Sequence, residues 1–189
     1  MKKTLLILMG SALSLCAADP VAGMYQAQFK IAQSEVVSLA MAMPEAAYNF
    51  APTNGSFEKV RTFASQVKHL ASVIYICAST ANQEKPPVDI GAGEDGPANM
   101  TSKADIVKYL QGAFEYGGST MGKLTAASQV EMVKGPFPGM GDTPRGAVLM
   151  IPIWHSFDHY GQMVVYARMN KVIPPASQPA PPPTGTKKK

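Results

Sequence analysis

The chain is short of the residues that most often announce chemistry. Its 189 residues include two cysteines, three histidines and one tryptophan, and only 16% are charged. Each shortage excludes something. Two cysteines cannot build a disulfide framework or a thiolate zinc cluster. Three histidines leave little room for a Ser-His-Asp arrangement beside any other histidine site. The low charge removes the acidic and basic runs that mark disordered or nucleic-acid-binding segments. No apolar run is long enough to span a bilayer as a helix. No stretch alternates apolar and polar residues over a useful length, so no sheet is expected.

What is present begins with a targeting pattern. Lys2 and Lys3 precede an apolar run of 13 residues, Leu5 to Ala17, too short for a comfortable membrane span. Cys16-Ala17-Ala18 puts small residues where a signal peptidase reads, so cleavage is expected after Ala18. Residues 1–18 are thus expected to be a signal peptide, and the protein to be exported, periplasmic or extracellular. Leu15 precedes Cys16 where lipidation needs a small residue, which disfavours a lipid anchor. Cleavage leaves Cys77 as the sole cysteine, set in an apolar helical pattern, so a buried structural thiol is expected. Losing Lys2 and Lys3 takes the 17 basic residues to 15 against 13 acidic, a net of +2. Three of those positives sit at Lys187-Lys188-Lys189. The folded part is near neutral, and no nucleic-acid partner and no stable membrane span after cleavage are expected.

Residues 19–173 read as four helices, an all-α four-helix bundle of up-down type with long loops. The first is expected from Pro20 to Met43, with Asp19 as cap and proline at the first helical position. Phe29, Ala32, Val36, Leu39 and Met43 form its apolar seam. The second is expected from Ser56, with Val60, Phe63, Val67, Leu70, Ile74, Cys77 and Ala81 in an unbroken 3-4 rhythm. A loop from Asn82 to Thr101 follows, and its length marks it as functional or mobile. The third helix opens at Ser102, with Asp105 three residues on, and Gly117-Gly118 is expected to loosen it. A Gly/Pro-rich loop spans Lys134 to Asp142. The fourth helix is expected from Thr143-Pro144 to Asn170, kinked or split at Pro152. Residues 174–189 read as a Pro-rich, Lys-tipped tail, extended and poorly ordered.

His155 and His159 stand four apart on the fourth helix and so share a face. Val148, Ile151, His155, His159, Gln162, Tyr166 and Met169 keep a 3-4 rhythm that reads as the core-facing stripe. Two buried imidazoles need partners, since an unpaired buried polar group costs about 1–3 kcal/mol. A divalent transition metal satisfies them, and so do ordinary hydrogen bonds to backbone or side chains. His69 lies about 130° from the centre of its own helix's seam, at a boundary that suits either a ligand at the bundle's flank or a half-exposed side chain. Known metal and phosphate motifs fail. His155-Ser156-Phe157-Asp158-His159 lacks the glutamate of H-E-x-x-H, and no acidic residue follows Asp158 to complete the inverted pattern. Gly91-Ala92-Gly93 and Gly139-Met140-Gly141 follow no strand.

Taken in order, these stretches resemble the DinB-like family of four-helix bundles with a histidine triad. The likeness rests on Phe63 to His69, on His155-Ser156-Phe157-Asp158-His159-Tyr160-Gly161-Gln162, on Val165 to Asn170 with Val172-Ile173-Pro174-Pro175, and on Met43-Pro44-Glu45 with Tyr48 to Pro52. It covers about Val21 to Pro175. The resemblance implies that His69, His155 and His159 hold a divalent transition metal, variously zinc, nickel or iron across the family, with a small-molecule substrate or a thiol as reaction partner. A homodimer is compatible with it. Two features depart from the family pattern: thiol-dependent relatives work in the cytoplasm whereas this chain carries a leader, and Pro152 stands close to His155. The chemistry such a site permits is hydrolysis or thiol-group transfer at an open metal position; Gln162, Tyr166 and Asp158 are candidate helper groups, though Gln162 and Tyr166 equally suit the core seam and Asp158 a solvated position. The alternative is a non-catalytic exported bundle that binds a metal or a small ligand, with Gln162 as a fourth ligand closing the site.

Overall fold

In the computed structural model, residues 19–179 are described, and the expected signal peptide lies outside them. Four helices form the body: α1 (Pro20–Ala42), α2 (Phe63–Asn82), α3 (Lys103–Met121) and α4 (Arg145–Met169). The first starts as the sequence implies. Asp19 accepts a hydrogen bond from the Val21 amide at 2.9 Å, and its second carboxylate oxygen ties down the Ala126 amide at 3.0 Å. Pro20 loses nothing there, because the first amides of a helix have no partner within it. Its seam of Phe29, Ala32, Val36, Leu39 and Met43 is buried throughout.

α2 begins later than the periodicity suggests. Thr62 is the cap, accepting from the Ser65 amide at 3.2 Å, and Ser56 and Val60 lie before the helix. Lys59 takes a left-handed backbone conformation (φ 65°), which breaks a helix running in from Ser56. From Phe63 onward the expected seam holds, and Phe63, Val67, Leu70, Ile74, Cys77 and Ala81 are all buried. Ser102 caps α3 as read: it accepts from the Asp105 amide at 3.1 Å and donates to the Asp105 carboxylate at 2.6 Å. Gly117-Gly118 does not loosen α3, which runs on to Met121. A Cβ on Gly117 would lie 2.9 Å from Ile74 and 3.0 Å from the Phe29 ring, so this glycine lets α1 and α2 approach α3 closely.

Four further expectations change. The segment read as loop carries a short antiparallel hairpin, β1 (Met132–Lys134) paired with β2 (Asp142–Pro144), in which Val133 opposes Thr143. Three residues per strand are too few for alternation to show in sequence; Val133 alone is buried. α4 starts at Arg145, so Pro144 ends β2 rather than opening the helix, and the Thr143 hydroxyl serves the Met140 and Gly141 carbonyls, not a cap. Pro152 sits inside α4 without splitting it, and the Ser156 hydroxyl donates to the Pro152 carbonyl at 2.6 Å. Beyond Asn170, which terminates α4, Pro174 is buried and Pro175–Ser177 form a 3-10 turn against α1. Regular packing therefore extends past residue 173.

α2 packs on α3 and α4, and α1 on the same two, giving the perimeter order α1-α3-α2-α4. The connections 43–62 and 122–144 each cross a diagonal, which only long links can do. The first is pinned by Tyr48, whose hydroxyl donates to the Ala40 carbonyl at 2.6 Å and whose ring meets Phe63 edge-on. Lys103 donates to the Met41 and Met43 carbonyls, satisfying the open end of α1. This arrangement sets α2 and α4 side by side, with the first half of α2 facing the middle of α4.

Candidate metal centre

α4 buries Val148, Ile151, His159 and Tyr166 of the stripe read in sequence, and beside them Leu149, Ser156, Met163 and Ala167, so its buried face is wider than that stripe. His155 and Gln162 lie on the flank of that face, and Met169 is exposed. His159 is buried and His155 half-buried. The flank they occupy faces α2, where His69 is 3% exposed. Of the two readings left open for His69, the half-exposed side chain is overturned: its helix angle is as read, but α4 and the 83–102 loop cover it at the edge of a flank cleft.

That loop is built to close on His69. Gly91, Gly93 and Gly96 all have positive φ, and Gly91 pairs with Gly96 to form a tight turn carrying Glu94 and Asp95. Gly96 lies against α2 so closely that a Cβ would come 2.9 Å from Lys68 Cβ, and Lys68 Nζ donates to the Pro97 carbonyl. The Glu94 carbonyl thereby reaches His69 Nδ1 at 3.0 Å. A carbonyl can only accept, so Nδ1 carries the proton and Nε2 presents a lone pair. A parallel constraint acts on His159, whose Nδ1 donates to Gln66 Oε1, while Gln66 Nε2 donates to Gln162 Oε1 at 2.9 Å. His159 Nε2 is left free in the same way.

The three rings converge. Ring centroids are 5.1 Å apart for His69–His155, 4.8 Å for His69–His159 and 4.4 Å for His155–His159. His155 Nε2 lies 3.1 Å from His69 Nε2, and one ligand atom from each of the three falls within 4.8 Å of the others. Burial lowers the affinity of all three for protons. His155 is pushed down to about 4, with His69 beside it contributing, and His159 to about 3, with both other imidazoles contributing. His69 is lowered too, by burial and by Arg61, against the pull of Glu94. Neutral imidazole is the form that ligates metal, and ligating histidines commonly donate their other N–H to an oxygen acceptor. His69 and His159 have such acceptors. Two nitrogens each about 2.0–2.1 Å from one ion sit near the separation found here, so the donor set fits a divalent transition metal. The three histidines could hold a metal ion.

The histidines line an open cleft of about 670 Å³ together with Arg61, Asp95 and Asp158. Arg61 bridges Asp95 at 2.9 Å on the rim. Tyr166 is not at the centre, since its hydroxyl donates to the Arg61 carbonyl at 3.2 Å. Sequence reasoning missed Gln66 and Glu94. Gln66 had one signal, an amide three residues before His69 and so on the same side of α2; Glu94 acts through its backbone and had none.

The chain belongs to the DinB superfamily, whose model matches residues 28–163. Among solved structures it is similar to a DinB-like protein from Bacillus cereus ATCC 10987, with a TM-score of 0.64 and 15% identity over 80% of this chain and 93% of that one. It is also similar to a conserved protein from Enterococcus faecalis, with a TM-score of 0.63 and 15% identity over 81% of this chain and 98% of that one. At that identity the likeness concerns the fold. No curated protein matches the chain.

Proposed function

We propose that this is an exported DinB-superfamily protein that holds zinc, nickel or iron on His69, His155 and His159, and uses an open metal position for hydrolysis or thiol-group transfer. The observation that carries this reading is the convergence of three imidazoles, two with their Nδ1 protons engaged, at an open cleft. A bound divalent ion supplies Lewis acidity towards water, a thiol or a carbonyl oxygen. The protein's part is to keep the imidazoles neutral, to fix their rotation through Glu94 and Gln66, and to admit a small molecule through the cleft. The Gln162 oxygen accepts from Gln66, which favours an open position over a fourth protein ligand there. Asp158 lines the cleft and is exposed, so it is the helper best placed to exchange protons with solvent. Export is supported by the leader pattern in the first 18 residues and by a first helix that begins at Pro20, just after the expected cleavage point.

Elemental analysis of mature protein purified without a metal-binding tag tests the site. Wild type is expected to carry about one transition metal per chain, and His155→Ala and His159→Ala to carry none. Metal-free wild type from gentle purification rejects the reading. Added azide or thiol that perturbs the metal's spectrum supports the open position; a spectrum indifferent to both favours a closed, non-catalytic site.

A further inference from the structure

A second cleft, of about 630 Å³, adjoins the metal cleft, and Arg61, Glu94 and Asp95 line both. These residues form a common wall. The second cleft differs from the first in chemistry. Its surfaces include Ile76 and Ile90, the Phe137 ring and three prolines, Pro86, Pro136 and Pro138. Proline fixes its own backbone torsion, so these walls are stiff before any ligand arrives. Ile76 follows His69 by seven residues, two helical turns on the same face of α2, which places it about 10 Å along the helix axis. The floor of the groove therefore changes from imidazole to aliphatic over that length.

We propose that the two clefts form one binding site for a two-part small molecule, with a metal-binding head at the histidines and an uncharged, linear hydrocarbon arm of about 10 Å lying over Ile76 towards Phe137. The inference rests on the metal-binding reading for the head and on the second cleft for the arm. An ion pair as exposed as Arg61–Asp95, at 39% and 72% of the side chains, holds its geometry weakly, so the wall can part for a chain to cross. The carboxylates of Glu84, Glu94 and Asp95 flank the second cleft and disfavour an anionic arm. Thr80 also lines the second cleft and adds a hydroxyl to its wall.

Cobalt-loaded full-length mature protein gives an optical readout of the head, with straight-chain hydroxamates as probes. Acetohydroxamate is expected to perturb the cobalt bands. Affinity is expected to rise about fourfold per added methylene from the acetyl to the octanoyl compound, in line with transfer of each group out of water. Phe137→Ser and Ile76→Thr are expected to flatten that rise while leaving acetohydroxamate affinity unchanged. Equal affinity for the acetyl and octanoyl compounds in wild type overturns the arm site and leaves the metal reading standing. A rise that persists undiminished in both variants also overturns it. Failure of cobalt to bind at all overturns the metal reading itself, and the head with it.

Discussion

Gln66 Nε2 donates to Gln162 Oε1 at 2.9 Å, and that bond decides which end of the Gln66 amide faces His159. With its nitrogen committed to α4, Gln66 can offer His159 only an oxygen, and His159 must then carry its proton on Nδ1. A residue on one helix thus sets the tautomer of a ligand on another, through a third side chain. Gln66→Leu keeps the volume and removes the acceptor. Metal affinity is expected to fall by about 10–100-fold with the helix content unchanged. Gln162→Ala should have a smaller effect of the same sign. Competition with a chromophoric chelator measures both, and wild-type affinity in Gln66→Leu would remove Gln66 from the centre.

The second prediction concerns pH. The folded protein holds His155 at about 4 and His159 at about 3, both well below the 6.5 of a free imidazole, and His69 is lowered as well. When folded values lie below unfolded ones, protonation favours the unfolded chain. The metal-free protein is therefore expected to have full stability above about pH 6.5 and to lose it as pH falls towards about 3. Urea midpoints across that window check the slope. Replacing all three histidines should make it shallower; an unchanged slope would mean that the imidazoles titrate as if in water.

Gly96→Ala tests the loop. At φ +75° a side chain is strained, and the new Cβ would meet Lys68 Cβ at 2.9 Å. The turn must lift, and His69 loses the Glu94 carbonyl. Stability is expected to drop by about 1–3 kcal/mol. Metal affinity should fall with it, by about 10–100-fold. Destabilisation without loss of affinity would show that His69 needs no acceptor.

Gly117→Ala is the counterpart far from the metal. Helix propensity alone would stabilise α3 by about 1 kcal/mol. Against that, the new methyl must displace Ile74 and the Phe29 ring, and overpacking of this kind costs about 1–3 kcal/mol. Net destabilisation with unaltered metal affinity is expected, from urea midpoints and the same chelator competition. A more stable variant would mean that the three-helix contact has slack.

Much of this was legible in the sequence, and the exceptions share a cause. The seams of α1 and α2, the caps at Asp19 and Ser102 and the Asn170 stop depend on residues within a few positions of one another, and sequence displays such relations directly. The pair His155 and His159 is local in the same sense. His69 is buried by a loop that folds back from 25 residues away, and helix angle alone cannot register that. Val148, Ile151, His159 and Tyr166 of the stripe read for α4 are buried, and the reading fails at His155, Gln162 and Met169 because a residue on the flank keeps the same 3-4 rhythm as one in the core. α2 appeared to start at Ser56 because Val60 happens to keep the period, while the break comes from the backbone at Lys59. The diagonal connections are set by which faces find each other, a property of the whole assembly.

Cys77 is fully buried, and burial pushes its thiol far towards the protonated form. Among the described residues it is the only cysteine. The described bundle therefore contains no cysteine pair that a disulfide could join, and its packing should be indifferent to redox poise. With Cys77 sealed in the core, this bundle offers the histidine cleft no thiol, and sulfur chemistry there would be brought by the visiting molecule.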